Sequence, residues 1–549
     1  MKRSRSRRLH RLTLVPLVGA LLALRAAHGQ GLSPAEPVPP VGAPARVHVD
    51  AFDIDGNTLL PAQQLMTALQ PFTGEESMAD LTRAAATVQA LYREAGYGAV
   101  VAWLPQQSLD SGRVRIAVLE GHVGEVRIKG NTHFSADNVR ASLPALQSGR
   151  TPRVRLLDAQ IALANENPAK HVEVLLQPGA KSGDVDANLT VAEQQVQRWT
   201  LRADNTGDAH TGHGRFALAW QHADISGHDD VLSAELETSP SKPDDVFIAS
   251  AAYRLPLYAQ AVALDAYVAL SDIDGGTTAT AAGGLTFTGK GDVFGVRANA
   301  YLPRLGEADQ HASLGLENRL YKNSCQIEGL PAGACGSAGE SVSVQPLSLG
   351  WSLQSGGAAP FGLNLSLIHN LQLGAAYGRE ANFEAVRPGS VSHYTLLRLN
   401  TFGALALPLD MQLQARLAAQ FTDDGLVPGE QFGIGGAASV RGYEERELAG
   451  DNGAALSVEL YSPELGGHGS TEGLSVHVLG FGDAGWVRNE LGTACRGTEV
   501  ECSLGSLGVG ARVSAGTFQG RLDVARAFKA GVVTHNGDWR LHAAVSYSF

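Results

Sequence analysis

The sequence predicts a transmembrane antiparallel β-barrel of about 16 strands, preceded by two small periplasmic α+β units, each ordered β-α-α-β-β. Three observations predict it. From residue 197 onward, segments alternate apolar and polar residues between Gly, Asp, Asn and Pro turns, with no convincing helix. Before them, a strand–Gly-Asn–helix opening occurs twice at a spacing of about 75 residues. The chain also opens with a basic segment followed by a short apolar one. Of 549 residues, 44% are hydrophobic and none of the internal runs approaches the ~20 apolar residues of a membrane helix, which excludes a polytopic helical membrane protein.

Residues 1–29 have the layout of a secretory signal peptide. Lys2, Arg3, Arg5, Arg7, Arg8 and Arg11 precede an apolar core from Leu12 to Leu24, and Ala27-His28-Gly29 offers small residues for cleavage. The 43 basic residues less the seven of this segment leave 36 against 55 acidic ones, a mature charge of −19. An acidic exported chain is a poor partner for nucleic acid. Residues 30–45 form a Pro-rich linker. The spacings of Cys325 with Cys335 and Cys495 with Cys502, each inside a Gly-rich polar stretch, suit two local disulfides in an oxidising compartment. A four-cysteine zinc site is the rival, and the C-x2-C spacing it favours is missing.

The first unit spans 46–120: a strand over Arg46–Ile54, a Gly56-Asn57 turn and a short helix over Pro61–Leu69. Leu81, Ala85, Val88, Leu91 and Ala95 then mark an amphipathic helix, before strands over Tyr97–Leu104 and Arg113–Leu119. The second, 121–193, repeats the order: a strand over Val123–Ile128, a Gly130-Asn131 turn and a helix over Ser135–Leu146. A helix through Leu157, Ile161 and Ala164 and strands over His171–Leu176 and Ala187–Ala192 follow.

The barrel occupies 194–549, with sixteen strands if 283–303 is one long strand. In Met411–Phe421 and Trp539–Phe549 every second residue is apolar. Period two alone also fits a soluble sandwich. Aromatics at strand ends (Trp539 at one, Tyr547 and Phe549 at the other) and alternating short and long connections favour the membrane. Pro408–Asp410 is short, whereas 422–453 and 488–505 are long. In lipid such a sheet has to close.

Enzyme chemistry finds no support. Gly480-Phe481-Gly482-Asp483-Ala484-Gly485 fits G-x-G-x-x-G, but a strand, not a helix, continues after it. His210-x-x-His213 lacks an acidic partner at metalloprotease spacing. No metal, nucleotide or other cofactor is expected. Parity in the strand around the Gly run places Leu474, Val476, Val478, Gly480, Gly482, Ala484 and Trp486 toward lipid, and Phe481, Asp483 and Gly485 inward. The Gly-dense loop before it carries Pro428-Gly429-Glu430-Gln431-Phe432, Gly435-Gly436 and Val440-Arg441-Gly442-Tyr443. Folded inward, Arg441 reaches Asp483 for a bidentate pair. The plainer reading leaves both charges solvated.

These motifs resemble the outer-membrane half of two-partner secretion, the TpsB transporters of haemolysin/haemagglutinin secretion-activation type, which form one superfamily with BamA-type assembly factors. Gly56-Asn57-Thr58, Gly96-Tyr97, Leu104-Pro105 with Gln107 and Glu120-Gly121 resemble a POTRA domain. So do Gly130-Asn131-Thr132, Asn165 with Asn167-Pro168, and Pro178-Gly179 with Gly183. Val440-Arg441-Gly442-Tyr443 is similar to the superfamily's loop-six signature and Phe481-Gly482-Asp483-Ala484-Gly485 to its partner strand. Tyr547 and Phe549 stand where the C-terminal assembly signal belongs. The resemblance implies a monomeric pore in a Gram-negative outer membrane, surrounded by lipid and inserted by the barrel-assembly machinery. It would capture an unfolded TpsA-type exoprotein on the POTRA domains and pass it to the surface without ATP. Two POTRA units favour this over a BamA-type insertion factor, and a passive porin has no use for them. Some relatives plug the barrel with an N-terminal helix; the short Pro-rich 30–45 segment predicts none here.

Overall fold

The computed structural model describes residues 46–209, 211–273, 278–279, 286–287, 289–322, 340–465 and 473–549. The expected signal peptide, the 30–45 linker with its bearing on a plug helix, His210 and the Cys325–Cys335 pair fall outside them.

Each N-terminal unit must turn sharply from a strand toward a helix, and glycine at positive φ makes the turn. Gly56 and Gly130 both sit at φ +86°. A Cβ there would lie 2.2 Å from the Val118 carbonyl oxygen in one unit and 2.3 Å from the Val191 carbonyl oxygen in the other, so only glycine fits. One carboxylate then clamps each turn. Glu120 accepts the Thr58 and Leu59 amides at 2.8 and 3.0 Å. Glu193 accepts those of Thr132, His133 and Phe134 at 3.0, 2.7 and 3.1 Å. The repeat is therefore one of hydrogen bonding as well as of sequence.

In the first unit, Ala51–Asp55 runs parallel to Arg113–Glu120, which pairs antiparallel with Val100–Trp103. In the second, His122–Lys129 runs parallel to Asp184–Glu193, which pairs antiparallel with Lys170–Pro178. Two helices accompany each sheet: Ala62–Leu69 and Met78–Glu94, then Ala136–Ser142 and Val154–Ala164. Met78–Glu94 starts at a Ser77–Asp80 capping box and buries Leu81, Ala85 and Val88, as their spacing requires, together with Tyr92. Several expected boundaries shift, among them the start of the strand expected over Ala187–Ala192, which begins at Asp184. The strand over Arg46–Ile54 breaks at Asp50, because the Asp50 and Ala51 amides both turn to the Gly112 carbonyl; Arg46–Val49 pairs instead with Gly74–Ser77. The strand expected from Tyr97 begins at Val100, since Tyr97 forms a bridge to Arg153. The helix over Ser135–Leu146 ends at Ser142, because Pro144 drives Leu143 to φ −128°, ψ 60°.

The remainder closes into an antiparallel barrel from Gln197–Asp204 round to Trp539–Ser548. It has sixteen strands when the interrupted Val342–Val344 and Pro346–Ser355 are counted as one; the break precedes a proline, which has no N–H to donate. Of the single strand expected over 283–303, 283–285 and 288 lie outside the described residues, and the described strand is Lys290–Leu305. Gly289, at φ +155°, precedes it, and Thr278–Ala279 pairs separately with Thr286–Phe287. The barrel region is not helix-free: Glu380–Val386 is a helix in a surface loop, too short for its period to show, with Phe383 and Val386 buried beneath it. The loop expected at 488–505 shrinks to 489–500, because Cys502 and Leu504 are apolar residues on the inner face and hide the alternation of Glu501–Ala515.

Parity divides the barrel as lipid and lumen demand. Phe294, Leu349 and Val509 are 59%, 58% and 64% exposed on the outer face, whereas Glu317, Glu459 and Asp523 are buried on the inner one. The closing seam pairs Thr200–Asp204 with Ala544–Ser548. Asn205 extends it with its side chain, accepting the Ala543 amide and donating to the Leu541 carbonyl, both at 2.8 Å.

The second unit is seated on the barrel rim. Lys170 meets Asp229, on the loop joining Arg215–His222 to Val231–Thr238, while Asn167 donates to the Ala223 and Asp229 carbonyls. Ala159 and Leu163 pack against Ala261, Ala263 and Tyr301 of the barrel.

Candidate functional site: a loop strapped across the lumen

The chain between Gln412–Phe421 and Asn452–Tyr461 folds inward. It descends through Pro428–Glu430, forms a short antiparallel pair of Phe432–Ile434 with Leu448–Gly450, and turns between them. Gly435 and Gly436, at φ +112° and +97°, start the turn. A Cβ on Gly435 would lie 2.5 Å from the Glu444 carbonyl oxygen. Glycine is required there by both conformation and space.

At the tip, Arg441 is 2% exposed and grips Asp483 in a fork, Nε to Oδ2 and Nη2 to Oδ1, both at 2.7 Å. Its backbone amide donates to the same Oδ2 at 3.0 Å. Nη1 donates to Glu459 at 2.6 Å and Nη2 to Ser457 at 2.9 Å, and the guanidinium carbon lies 3.4 Å from the centroid of the Phe481 ring. Asp523 stands 3.7 Å from Nη1 and is itself bonded to Arg512 and Arg521. The tip is thus held by a charge network spread over several strands, not by one pair. Such a fork fixes direction as well as distance.

The neighbouring motif residues fit the same contact. Val440 is buried; Gly442, at φ +94°, donates its amide to Nε2 of His542 at 2.9 Å. The Tyr443 hydroxyl donates toward the Gly505 and Lys529 carbonyls, each at 2.9 Å. On the facing strand, Gly485 makes room: a Cβ would sit 2.8 Å from Cγ2 of Val440. Gly482 faces the other way, where a Cβ would come 2.9 Å from Cδ2 of Leu507. Cys495 and Cys502 form a disulfide, and Cys502 packs in the cluster that holds Val440 and Tyr443. Tyr547 and Phe549 lie at the end of the last strand remote from Trp539, their rings stacked at 5.8 Å, and Phe549 exchanges two backbone hydrogen bonds with Trp199.

Sequence reasoning missed two further anchors. Glu430, fully buried, accepts from Nη1 of Arg319 at 2.9 Å and from the Tyr321 hydroxyl at 2.7 Å. These lie on Ala308–Lys322, a strand remote in sequence from those that hold Arg441. At the stem, Asp451 accepts a fork from Arg387, at 2.5 and 3.0 Å, with the Leu426 and Glu490 amides. Three surface loops meet there. The missed carboxylates Glu459 and Asp523 carry one readable signal: each is an acid at the inward parity of a strand whose neighbours, Val458 and Leu460 or Leu522 and Val524, are apolar. Among the described residues, no group of three His, Cys, Asp or Glu is placed to hold a metal ion.

Comparison with known proteins matches both the barrel and the first periplasmic unit. The profile of the haemolysin secretion/activation protein family ShlB/FhaC/HecB matches residues 183–513, and that of the ShlB-type POTRA domain matches 47–121. The heme/hemopexin transporter protein HuxB of Haemophilus influenzae is 24% identical over 431 residues, covering 74% of this chain and 70% of its own. The outer membrane transporter CdiB of Escherichia coli is 23% identical over 511 residues, covering 89% and 79%. Two solved structures share the fold. CdiB from Escherichia coli has a TM-score of 0.73 at 18% identity over 94% of this chain and 93% of its own. CdiB from Acinetobacter baumannii has 0.68 at 16%, over 95% of each.

Proposed function

Because the chain belongs to the haemolysin secretion/activation (ShlB/FhaC/HecB) family of two-partner secretion transporters, we propose that it captures an unfolded exoprotein on its periplasmic units and passes it through the barrel lumen to the cell surface. The barrel lies in the outer membrane with the POTRA units in the periplasm.

The observation that carries this reading is the loop itself. A lumen packed shut by side chains throughout would be a core; this one is crossed by a segment that packs an apolar cluster around Val440 and Tyr443 and is otherwise held by polar anchors, which can be exchanged for water. Capture has a surface suited to it. Among the described residues His122–Lys129 pairs with one strand only, and beyond Val123, whose N–H and C=O go to Arg150 and Gly149, no further strand pairs with that edge. Beside that edge runs a groove of about 710 Å³ floored by Val126, Leu143, Leu146 and Leu189. An extended chain added there gains main-chain hydrogen bonds without a fixed sequence. Folding outside the cell supplies the direction, so no nucleotide is consumed. The protein works as a monomer, surrounded by outer-membrane lipid and inserted by the barrel-assembly machinery.

The test is depletion, with the outer-membrane and secreted proteins compared before and after. Loss of one large exported protein supports the reading, above all one encoded beside this gene. A broad loss of outer-membrane proteins would replace it with an assembly role, and liposome swelling by small sugars at porin rates would replace it with passive diffusion.

A further inference from the structure

The loop is fastened to the barrel wall unequally, and the inequality identifies which fastening yields. At the tip Arg441 is held on all sides: it uses both arms of its fork, its amide and its ring contact, and Val440 and Tyr443 are fully buried around it. On the descending arm, Glu430 is as deeply buried, yet only one of its carboxylate oxygens is bonded. Oε1 takes Arg319 and Tyr321, whereas no hydrogen-bond donor among the described residues reaches Oε2, the Arg398 guanidinium standing 3.6 Å away. A buried carboxylate left half-satisfied is a weak point, since release into water restores the missing bonds.

Space and backbone point the same way. A chamber of about 360 Å³ lies beside this contact, lined by Arg319, Arg398 and Asn400 of the wall and Gln431 of the arm, while the arm itself touches the wall at Gly429, against the Tyr321 ring, and at Glu430, whose carbonyl accepts from Gln420 at 3.0 Å. Arg446, on the limb returning from the tip, bonds the Pro428 and Gln431 carbonyls at 2.8 and 2.7 Å, so the two limbs hold together as a block. Between that block and the tip stand Gly435 and Gly436, both at positive φ.

We propose that Glu430 is the positioning residue that holds the lumen closed, and that the pore opens by release of this arm from Arg319 and Tyr321 while the Arg441 tip stays docked on Asp483. The proposal rests on the transporter reading, but channel recordings need no exported partner. A failed gate would therefore leave that reading standing.

The test is single-channel recording of the purified full-length protein in planar lipid bilayers. Glu430→Gln and Arg319→Met are each expected to raise the open fraction about tenfold, the change one charge-assisted hydrogen bond supports, and the double variant no further than either. A tether separates arm from tip. A Cβ on Gly485, which has no positive φ, would lie 2.8 Å from Cγ2 of Val440, so Val440→Cys with Gly485→Cys pins the tip by a disulfide. With the tether closed, Glu430→Gln must still open the pore. Wild-type conductance in Glu430→Gln would overturn the proposal. So would a tethered pore that opens only on adding reductant, provided wild-type protein shows no response to the same reductant.

Discussion

The Lys170 ammonium of the second periplasmic unit lies 2.5 Å from the Asp229 carboxylate of the barrel, with 0% and 1% of the two side chains exposed. Asn138 and Tyr258 complete the contact: Lys170 donates to Oδ1 of Asn138, and the Tyr258 hydroxyl donates to Asp229 at 2.7 Å. Burial pulls the lysine below its usual range, and the attraction of Asp229 offsets only part of this. The charge there is favoured chiefly by Asp229, with Asp224 and Glu193 adding to it. The capture unit is thereby fixed in orientation against the rim of the pore.

Removing one partner should therefore cost more than removing both. Lys170→Ala leaves Asp229 buried and unpaired, at a cost of roughly 3–5 kcal/mol, whereas Lys170→Met with Asp229→Leu should be much milder. Hydrogen exchange in 222–231 of the full-length protein checks this. Faster exchange in the single variant with near-native exchange in the double is the expected outcome; equal exchange in both would disprove it.

Arg441→Lys keeps the charge at the loop tip but loses the fork. A lysine supplies no planar pair of donors for Asp483 and cannot serve Glu459 and Ser457 at the same time. Secretion should fall about tenfold or more, in line with the loss of at least one hydrogen bond to a charged group. Heat-modifiable migration, which reports the folded barrel, should persist for Arg441→Lys, Arg441→Ala and Asp483→Ala alike. Normal secretion by all three would remove the role assigned to this contact.

What could be read in the sequence, and what could not, follows from the range of each interaction. The turn at Gly56-Asn57 and its copy at Gly130-Asn131 were legible because the conformation is local and glycine alone permits it. The inward side of Asp483 was legible because strand parity is strict. The partners Glu459, Asp523 and His542 were not, since nothing local says which inward residues a loop will meet after crossing the lumen. Glu430 looked like one more polar loop residue, and only the closed sheet brings Arg319 to it. The helix Glu380–Val386 was too brief to show a period.

Acid should loosen both strand-to-helix turns together. Burial pushes the Glu120 and Glu193 carboxyls up, but the hydrogen bonds from Thr58, Tyr92 and Leu59 to one, and from His133, Thr132 and Phe134 to the other, outweigh it and hold both below the usual range. A carboxyl depressed in the folded state contributes stability that is present above its unfolded value of about 4.3 and lost as pH falls through the folded value. Thermal unfolding of the periplasmic units within the intact protein should therefore weaken between about pH 5 and about pH 3. Glu120→Gln with Glu193→Gln should flatten that slope and lower stability at neutral pH. An unchanged slope would place the acid sensitivity elsewhere.

Crowding the tip without touching a charge should undock it. A Cβ on Gly485 would sit 2.8 Å from Cγ2 of Val440 and 3.0 Å from Cδ1 of Ile434, and both of those side chains are fully buried with little room to yield. Gly485→Val adds still more bulk at that point, so the strain should be relieved by lifting Val440 and Arg441 off the strand, at a cost of about 1–3 kcal/mol. Gly482 is the matched control. It lies on the same strand but faces lipid, where a Cβ meets the Leu507 side chain and not the loop. Protease added to the purified protein should therefore cut within 435–445 in Gly485→Val and leave Gly482→Ala as resistant as the wild type. Equal resistance in both variants would mean that the contact between Val440 and Gly485 does not hold the loop in place.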